Sequence, residues 1–526
     1  MSAFTGARHL IRLILRRDRF RLPLWIISLT AVTGSSAGAV ISVYGTPQEI
    51  AAYSATVGDS ATSRMMNGRP DALETIGGIV AYETTMTALV VMALMVTFLV
   101  VRHTRGEEES GRAELLRATV TGRHAATAAA VVVATAASVL VGALDALVLV
   151  ANELPPAPSL LHGAEVTGVG LVFTAVAAAA AQVTASARAA LGIAGTILGV
   201  AFVLRGIGDV AGNALTYLSP LGWAQAVRPF GAAQWWPILL LVVAAGAILA
   251  GTAYLTAHRD AGAGLIQPRP GRPRASASLG TATGLAWRLQ RGPVIGWGVG
   301  LAISGALFGS VGPEVLEMVE ANPDLARAIG ASGGAILDSY FATTLAISAV
   351  IGTGFGVSSA LRLRGEETAG RAEALLATGM SRTRLAVGFL VVTLAGTVVH
   401  LAGLGLAAGV TYGVVSGDGS AVGPLLGAAL ALAPACLAVS GVAVLLTGWW
   451  PRATMVAWAA LAFAFLQVYL GELLRFPDWV SAASPWWHLP RQPLETFALA
   501  PVLGVLVVAL VLAAAGVAGL RRRDIG

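Results

Sequence analysis

Apolar stretches of about 20 residues recur along the chain near 22–43, 79–101, 125–151, 164–186, 189–206 and 236–257. They return near 293–312, 340–361, 385–415, 421–447, 453–471 and 498–519. A helix needs about 20 mostly apolar residues to cross a bilayer. The pattern therefore predicts an all-α polytopic membrane protein with about twelve transmembrane helices, six and then six.

The polar stretches between the runs repeat as well. Residues 105–119 read RGEEESGRAELLRAT and 364–378 read RGEETAGRAEALLAT, identical at 11 of 15 positions. Other landmarks follow in the same order. Pro70-Asp71 before Gly77-Gly78 is echoed by Pro323-Asp324 before Gly333-Gly334, and Ser219-Pro220 by Ser484-Pro485. Arg259-Asp260 after the sixth run is echoed by Arg523-Asp524 after the twelfth. An even number of spans in each half makes the halves parallel repeats about an axis along the membrane normal. The expected organisation is an interfacial helix over 1–21, a first six-span half over 22–260 with a loop at 102–124, and a Pro/Gly/Ser-rich linker over 261–292. A second half over 293–526 follows, with its loop at 362–384.

Charge fixes the expected orientation. All 34 basic residues are arginine; with the N-terminus inside, 27 fall on inner segments and six on outer ones, Arg205 at a span end being left uncounted. Arginine excess marks cytoplasmic loops, so both termini and both charged loops are expected in the cytoplasm of a cell-membrane protein. In residues 1–21, Leu10, Ile11, Leu13, Ile14 and Leu15 lie among arginines, the pattern of a helix in the inner bilayer interface. The following run, Leu22 to Tyr44, is span-length and reads as a helix rather than the short core of a cleaved leader.

Composition narrows the function. Of 526 residues, 56% are hydrophobic and 12% charged, with a mean hydropathy of +0.76. The net charge of +6 is spread between apolar runs, which argues against nucleic acid. Cys436 stands alone, so an internal disulfide or cysteine-based zinc site is excluded, and no other metal site is expected. Without a lysine there is no P-loop. ATP hydrolysis would have to come from another polypeptide.

In the doubled segment, Glu108 precedes Arg112 by four and Glu367 precedes Arg371 by four, the spacing that supports a solvated helix. Glu107 and Glu366 sit near the helix start, where the macrodipole favours acids. Each copy is read as one short amphipathic helix stopped near Gly122 or Gly379, with Leu116 or Leu375 as its apolar contact. Orientation alone needs arginines but not glutamates. The retained acids point to a docking surface, duplicated because its partner is present twice.

These loop motifs, the Ser-Pro-aromatic segments 219–223 and 484–487, and the terminal RRDIG resemble the permeases of type-2 ABC exporters. The resemblance covers the whole chain and is to the fused twelve-span branch that exports polyketide antibiotics, tetronasin-resistance permeases among them. It implies a coupling helix in each loop, docked on a separate ATPase subunit. The candidates are Glu107, Glu108, Glu109, Arg112 and Glu114, and in the second copy Glu366, Glu367, Arg371 and Glu373. It implies two ATPase copies that carry the ATP and magnesium, no cofactor in this chain, and a hydrophobic or amphipathic small-molecule substrate. It also implies outer-gate helices at Ser219, Pro220 and Trp223 and at Ser484, Pro485 and Trp486. Those tryptophans, with Trp235, Trp236, Trp479 and Trp487, are equally explained as an interfacial belt.

Inside the spans, Asp145 and His400 are ionisable and Gln182 and Gln467 polar. Such residues are functional candidates by default. The repeat sets Leu404 opposite Asp145 and Val141 opposite His400, so neither belongs to a duplicated site, and packing or a cavity-facing role is expected. The glutamines are read as bonds between helices. The alternative function is a proton-coupled multidrug antiporter, for which Asp145 and Glu83 are meagre intramembrane acids. A membrane transferase needs clustered acids or histidines, and the seven histidines are dispersed.

Overall fold

The computed structural model describes residues 2–58, 61–112, 114, 120–258, 264–266, 273–320, 333–474 and 476–523. Leu116, Arg259-Asp260, Pro323-Asp324, Asp524 and residues 261–263 and 267–272 of the linker therefore lie outside the described residues. The described chain is helical without strands and divides into two units, Met1–Gly271 and Arg272–Gly526.

In the first unit the helices are α1 (Ala7–Arg17), α2 (Arg21–Val43), α3 (Pro47–Val57), α4 (Ala61–Asn67), α5 (Ile76–His103) and α6 (Arg105–Glu109). They continue as α7 (Ala125–Ala151), α8 (Pro156–Val183), α9 (Ala187–Ala211), α10 (Pro220–Gln225) and α11 (Trp236–His258). In the second unit they are α12 (Ala282–Glu320), α13 (Gly333–Ala360), α14 (Arg362–Thr368), α15 (Arg371–Leu376) and α16 (Arg382–Ser416). Then come α17 (Val422–Ala431), α18 (Ala433–Trp449), α19 (Val456–Leu474), α20 (Asp478–Ser481) and α21 (Leu499–Arg522). Eleven helical segments among the described residues are long and apolar enough to cross a membrane, and a shorter apolar helix, Val456–Tyr469, lies within α19. The chain is an all-α polytopic membrane protein.

Burial sorts these helices. The hydrophobic stretch of α8 is 78% buried and that of α11 only 17%, so α8 is a core element and α11 a wall facing lipid. An apolar wall costs nothing in hydrocarbon, which is why a helix can be greasy all round and still peripheral. Against α8, α5 and α7 close the core of the first unit through Met92, Val133, Val172 and Phe173. Small residues permit the closest approach. A Cβ on Gly142 of α7 would fall 2.2 Å from the Gly163 carbonyl oxygen of α8, and one on Gly163 would fall 2.1 Å from that of Gly142.

Three boundaries differ from expectation, each for a local reason. Helix α8 starts at Pro156, eight residues before the apolar run, because proline is pre-organised for a first helical position. Helix α12 begins at Ala282 and passes through Pro293, which was expected to open the span. Each loop copy is broken rather than forming one helix: Gly111 and Gly370, at the same place in both, adopt φ of +74° and +70°. That left-handed conformation interrupts a right-handed helix and is open to glycine.

Candidate functional site

The first loop copy is held from below by α5. Asp18, in the turn between α1 and α2, receives Arg102 at 2.9 Å and His103 at 2.5 Å. Arg105 opens α6 and is 1% exposed. Its guanidinium donates to the Ala181 carbonyl near the end of α8, at 3.0 and 2.6 Å, and pairs with Glu108 at 2.6 Å. Glu107 takes Arg17 of α1 at 2.7 Å, with Arg112 at 3.7 Å. Glu109 accepts from the backbone N–H of Ala187, the first residue of α9, at 2.8 Å.

The second copy repeats the scheme with other anchors. Glu367 pairs with Arg364 at 3.0 Å and with Arg523, beyond the end of α21, at 2.5 Å. Glu366 is clasped by Arg371 at 2.6 Å and Arg362 at 3.0 Å. The pairings expected at four-residue spacing, Glu108 with Arg112 and Glu367 with Arg371, are thus replaced. The left-handed glycine turns each arginine back towards the earlier glutamate. What remains exposed is a tip: Ser110, Arg112 and Glu114 in one copy, Thr368, Arg371 and Glu373 in the other. Leu375 packs partly buried on a core cluster, as its apolar role predicts.

At the opposite end of the first unit, Ser219 caps α10 by accepting from Leu221 N at 3.2 Å, Pro220 is the first helical residue, and Trp223 donates to the Tyr217 carbonyl at 2.7 Å. Next to them is a polar lattice that the sequence did not announce. Arg205, fully buried, donates to the Met65 and Met66 carbonyls at 2.8 and 3.0 Å and lies 3.5 Å from Asp209. Asp209 in turn takes Arg69 at 3.2 Å and Thr216 at 2.8 Å. In the second unit, Pro485 opens a 3-10 turn, Pro485–His488, in place of an α-helix; Trp486 is buried, and the buried Ser484 hydroxyl has no partner.

Deeper in the first unit lies a cluster. His162 Nδ1 of α8 stands 3.0 Å from Glu165 Oε1, and the Thr85 hydroxyl of α5 is 3.4 Å from both. Asp145 of α7 is brought alongside by the Gly142–Gly163 contact, with Thr30 and Thr33 of α2 turned towards it. Asp145, His162 and Glu165 are all 0% exposed. Among the described residues no group of three such side chains is arranged to hold a metal.

The family model described as "Multidrug efflux system permease Rv1217c, C-terminal domain" matches residues 8–255 and 279–521. The chain is also 40% identical over 532 residues to "Multidrug efflux system permease protein Rv1217c" of Mycobacterium tuberculosis (strain ATCC 25618 / H37Rv), spanning 100% of this chain and 96% of that protein. The chain belongs to this family of multidrug efflux permeases.

In this permease the polar residues expected inside spans have separate fates. His400 donates to or accepts from nothing on a partner cluster: its Nε2 lies 2.7 Å from the Val294 carbonyl and its ring meets Phe355 edge-on at 4.5 Å. Gln182 was read as bridging helices but bonds its own helix, at the Ala178 carbonyl 3.4 Å away. The buried Oε1 of Gln467 has no partner. Asp145 is the one that finds ionisable company. His162 escaped because the apolar run was started at 164, and Glu165, just inside that run, was passed over; their three-residue spacing behind Pro155-Pro156 was the signal available. The histidines are accordingly not all dispersed from acids.

Proposed function

We propose that this chain is the membrane permease of an ATP-driven exporter of hydrophobic or amphipathic small molecules, with antibiotics and other drugs as the substrate class. It carries no ATPase of its own; two copies of a separate ATPase subunit dock on the two loops, one on each. Both loops and both termini are cytoplasmic in this reading, from the arginine distribution. The observation that carries it is the doubled loop: one sequence, folded twice into the same glycine-broken turn, with its acids stapled inwards and its tip left in solvent. Glu107, Glu108, Glu109, Glu366 and Glu367 then shape the coupling element, and Arg112, Glu114, Arg371 and Glu373 make the contact.

Charged contacts at a desolvated interface matter by about 2–5 kcal/mol when broken, whereas exposed charges matter by about 0–1 kcal/mol. Glu114→Arg with Glu373→Arg should therefore strip the ATPase from the purified complex while permease abundance in the membrane is unchanged. Retention of both ATPase copies, with full export, would reject docking at these tips. The rival, a proton-coupled antiporter, requires export to stop when the proton gradient is collapsed with ATP maintained.

A further inference from the structure

We propose that Asp145, His162 and Glu165 form a proton-binding site in the first unit, filled from the cleft at the end opposite the loops. Among the described residues, four atoms of these buried side chains make no close hydrogen bond: both Asp145 carboxylate oxygens, which the Thr30 and Thr33 hydroxyls only approach, Glu165 Oε2 and His162 Nε2. Buried polar groups are almost always satisfied, so four orphans within one cluster mark a place built for something that comes and goes. A cleft of about 50 Å³ reaches it, with Glu165, Thr85 and Tyr82 at its floor and Arg69, Asp71 and Arg228 among its lining. A water needs about 10–15 Å³ of such space. The cleft is therefore roomy enough for a short file of waters between Asp71 and Glu165.

Charge balance selects the proton. With Asp145 and Glu165 ionised and His162 neutral, the site carries two negative charges inside a span bundle. An uncompensated buried charge costs several kcal/mol. One proton on His162 makes the Nδ1–H to Oε1 ion pair with Glu165, and a second on Asp145 leaves the cluster neutral. Each proton comes from water in the cleft and returns to it, with no other bond made or broken. His162 is within electrostatic reach of both carboxylates, so the protonation states of the three are linked through it.

The charged or titratable groups facing the cluster are few. Against α8, α5 contributes Tyr82 and Glu83, the latter bonded to Tyr53; α7 contributes Asp145; α9 contributes Arg205 and Asp209. Helix α10 has none, and α11 has only Tyr254 and His258 near its far end. Glu153 sits in the connection before α8, and Arg228 and Asp71 face each other in the cleft, where burial lifts the Asp71 carboxyl above its usual range. The cleft side is the outer side on the topology proposed above. The proton site itself does not depend on how export is powered.

The test uses the full chain, purified and sealed in lipid vesicles without any ATPase, with a pH dye on each side in turn. Acidifying the cleft side should give proton uptake that Glu165→Gln and Asp145→Asn each diminish and the double variant abolishes. The infrared band of a protonated carboxyl should disappear with Asp145→Asn. If Glu165→Gln fails to accumulate, Asp145→Asn and His162→Gln carry the same comparison. Uptake unchanged in all variants overturns the proposal. So does uptake that raised sodium abolishes, which would assign the site to a metal cation. Uptake present but entering from the loop side overturns the cleft as the route, while the docking test above, scored on ATPase retention, is untouched by any of these results.

Discussion

The two units are most alike at their loops and least alike at the opposite ends. In both, an Arg-x-x-Glu pair staples the loop, Arg105 to Glu108 and Arg364 to Glu367, and a glycine with positive φ folds the tip back. The opposite ends share the Ser-Pro start and the Pro-Asp and Gly-Gly landmarks, but little of the structure described around them. The first has a capped α-helix, a buried Arg205–Asp209 lattice and the Asp145–His162–Glu165 cluster. Where α8 carries His162 and Glu165, the second unit has α17, reading VGPLLGAALA without an ionisable side chain. A duplicated gene keeps in both copies what both copies must do. The loops have kept one design in both units, and the far ends have diverged.

The comparison is sharpest at the staple arginines, where the largest effect is expected. Arg105 is buried, and removing it leaves Glu108 and the Ala181 carbonyl without their shared donor. Breaking a buried pair from one side costs about 3–5 kcal/mol. Arg364 is partly exposed, and its Glu367 keeps Arg523. An exposed pair is worth about 0–1 kcal/mol. Arg105→Ala should lower thermal stability and membrane abundance severely, and Arg364→Ala should barely register in the same measurements. Equal losses would mean that the second staple is as deeply buried in the folded protein as the first.

That asymmetry was not legible in the sequence, and the reason is physical. Both loops read the same, but burial is decided by what each is tied to: α8 and Arg17 in the first unit, the end of α21 in the second. Spans were legible because hydrocarbon demands a run of apolar residues whatever packs beside it. The helix starts at Pro156 and Ala282 were missed, since a helix extending beyond its apolar run obeys capping rather than hydropathy. Glu108 with Arg112 was a reasonable helical pair until Gly111 is given its left-handed turn. The repeated glycine was the clue, and it stood in plain view in both copies. Among the intramembrane residues, Asp145 was found by its charge, His162 was lost to a misplaced boundary, and Glu165 was passed over just inside it.

A smaller and symmetric effect belongs to those glycines. Among the described residues no atom lies within 4 Å of a Cβ added to Gly111 or Gly370, so alanine at either meets the backbone penalty. A left-handed residue other than glycine costs about 1–2 kcal/mol. Gly111→Ala and Gly370→Ala should each loosen their loop by that amount and equally, seen as faster limited proteolysis at 110–114 and 368–373. Unequal cleavage would show that the two tips are not the same turn.

The smallest expected difference lies at the two Ser-Pro starts. Ser219 caps a true α-helix, and its hydroxyl accepts from Leu221 N. Replacing such a cap by alanine costs about 1 kcal/mol. Ser484 precedes only a 3-10 turn, and its hydroxyl is buried without a partner. Removing an unsatisfied buried hydroxyl loses no bond and spares its desolvation, so alanine there is neutral or slightly stabilising. Ser219→Ala should lower the melting temperature measurably, and Ser484→Ala should leave it level or raise it. A loss at Ser484 as large as at Ser219 would mean that its hydroxyl holds a ligand or a water. The two ends would then be working alike after all.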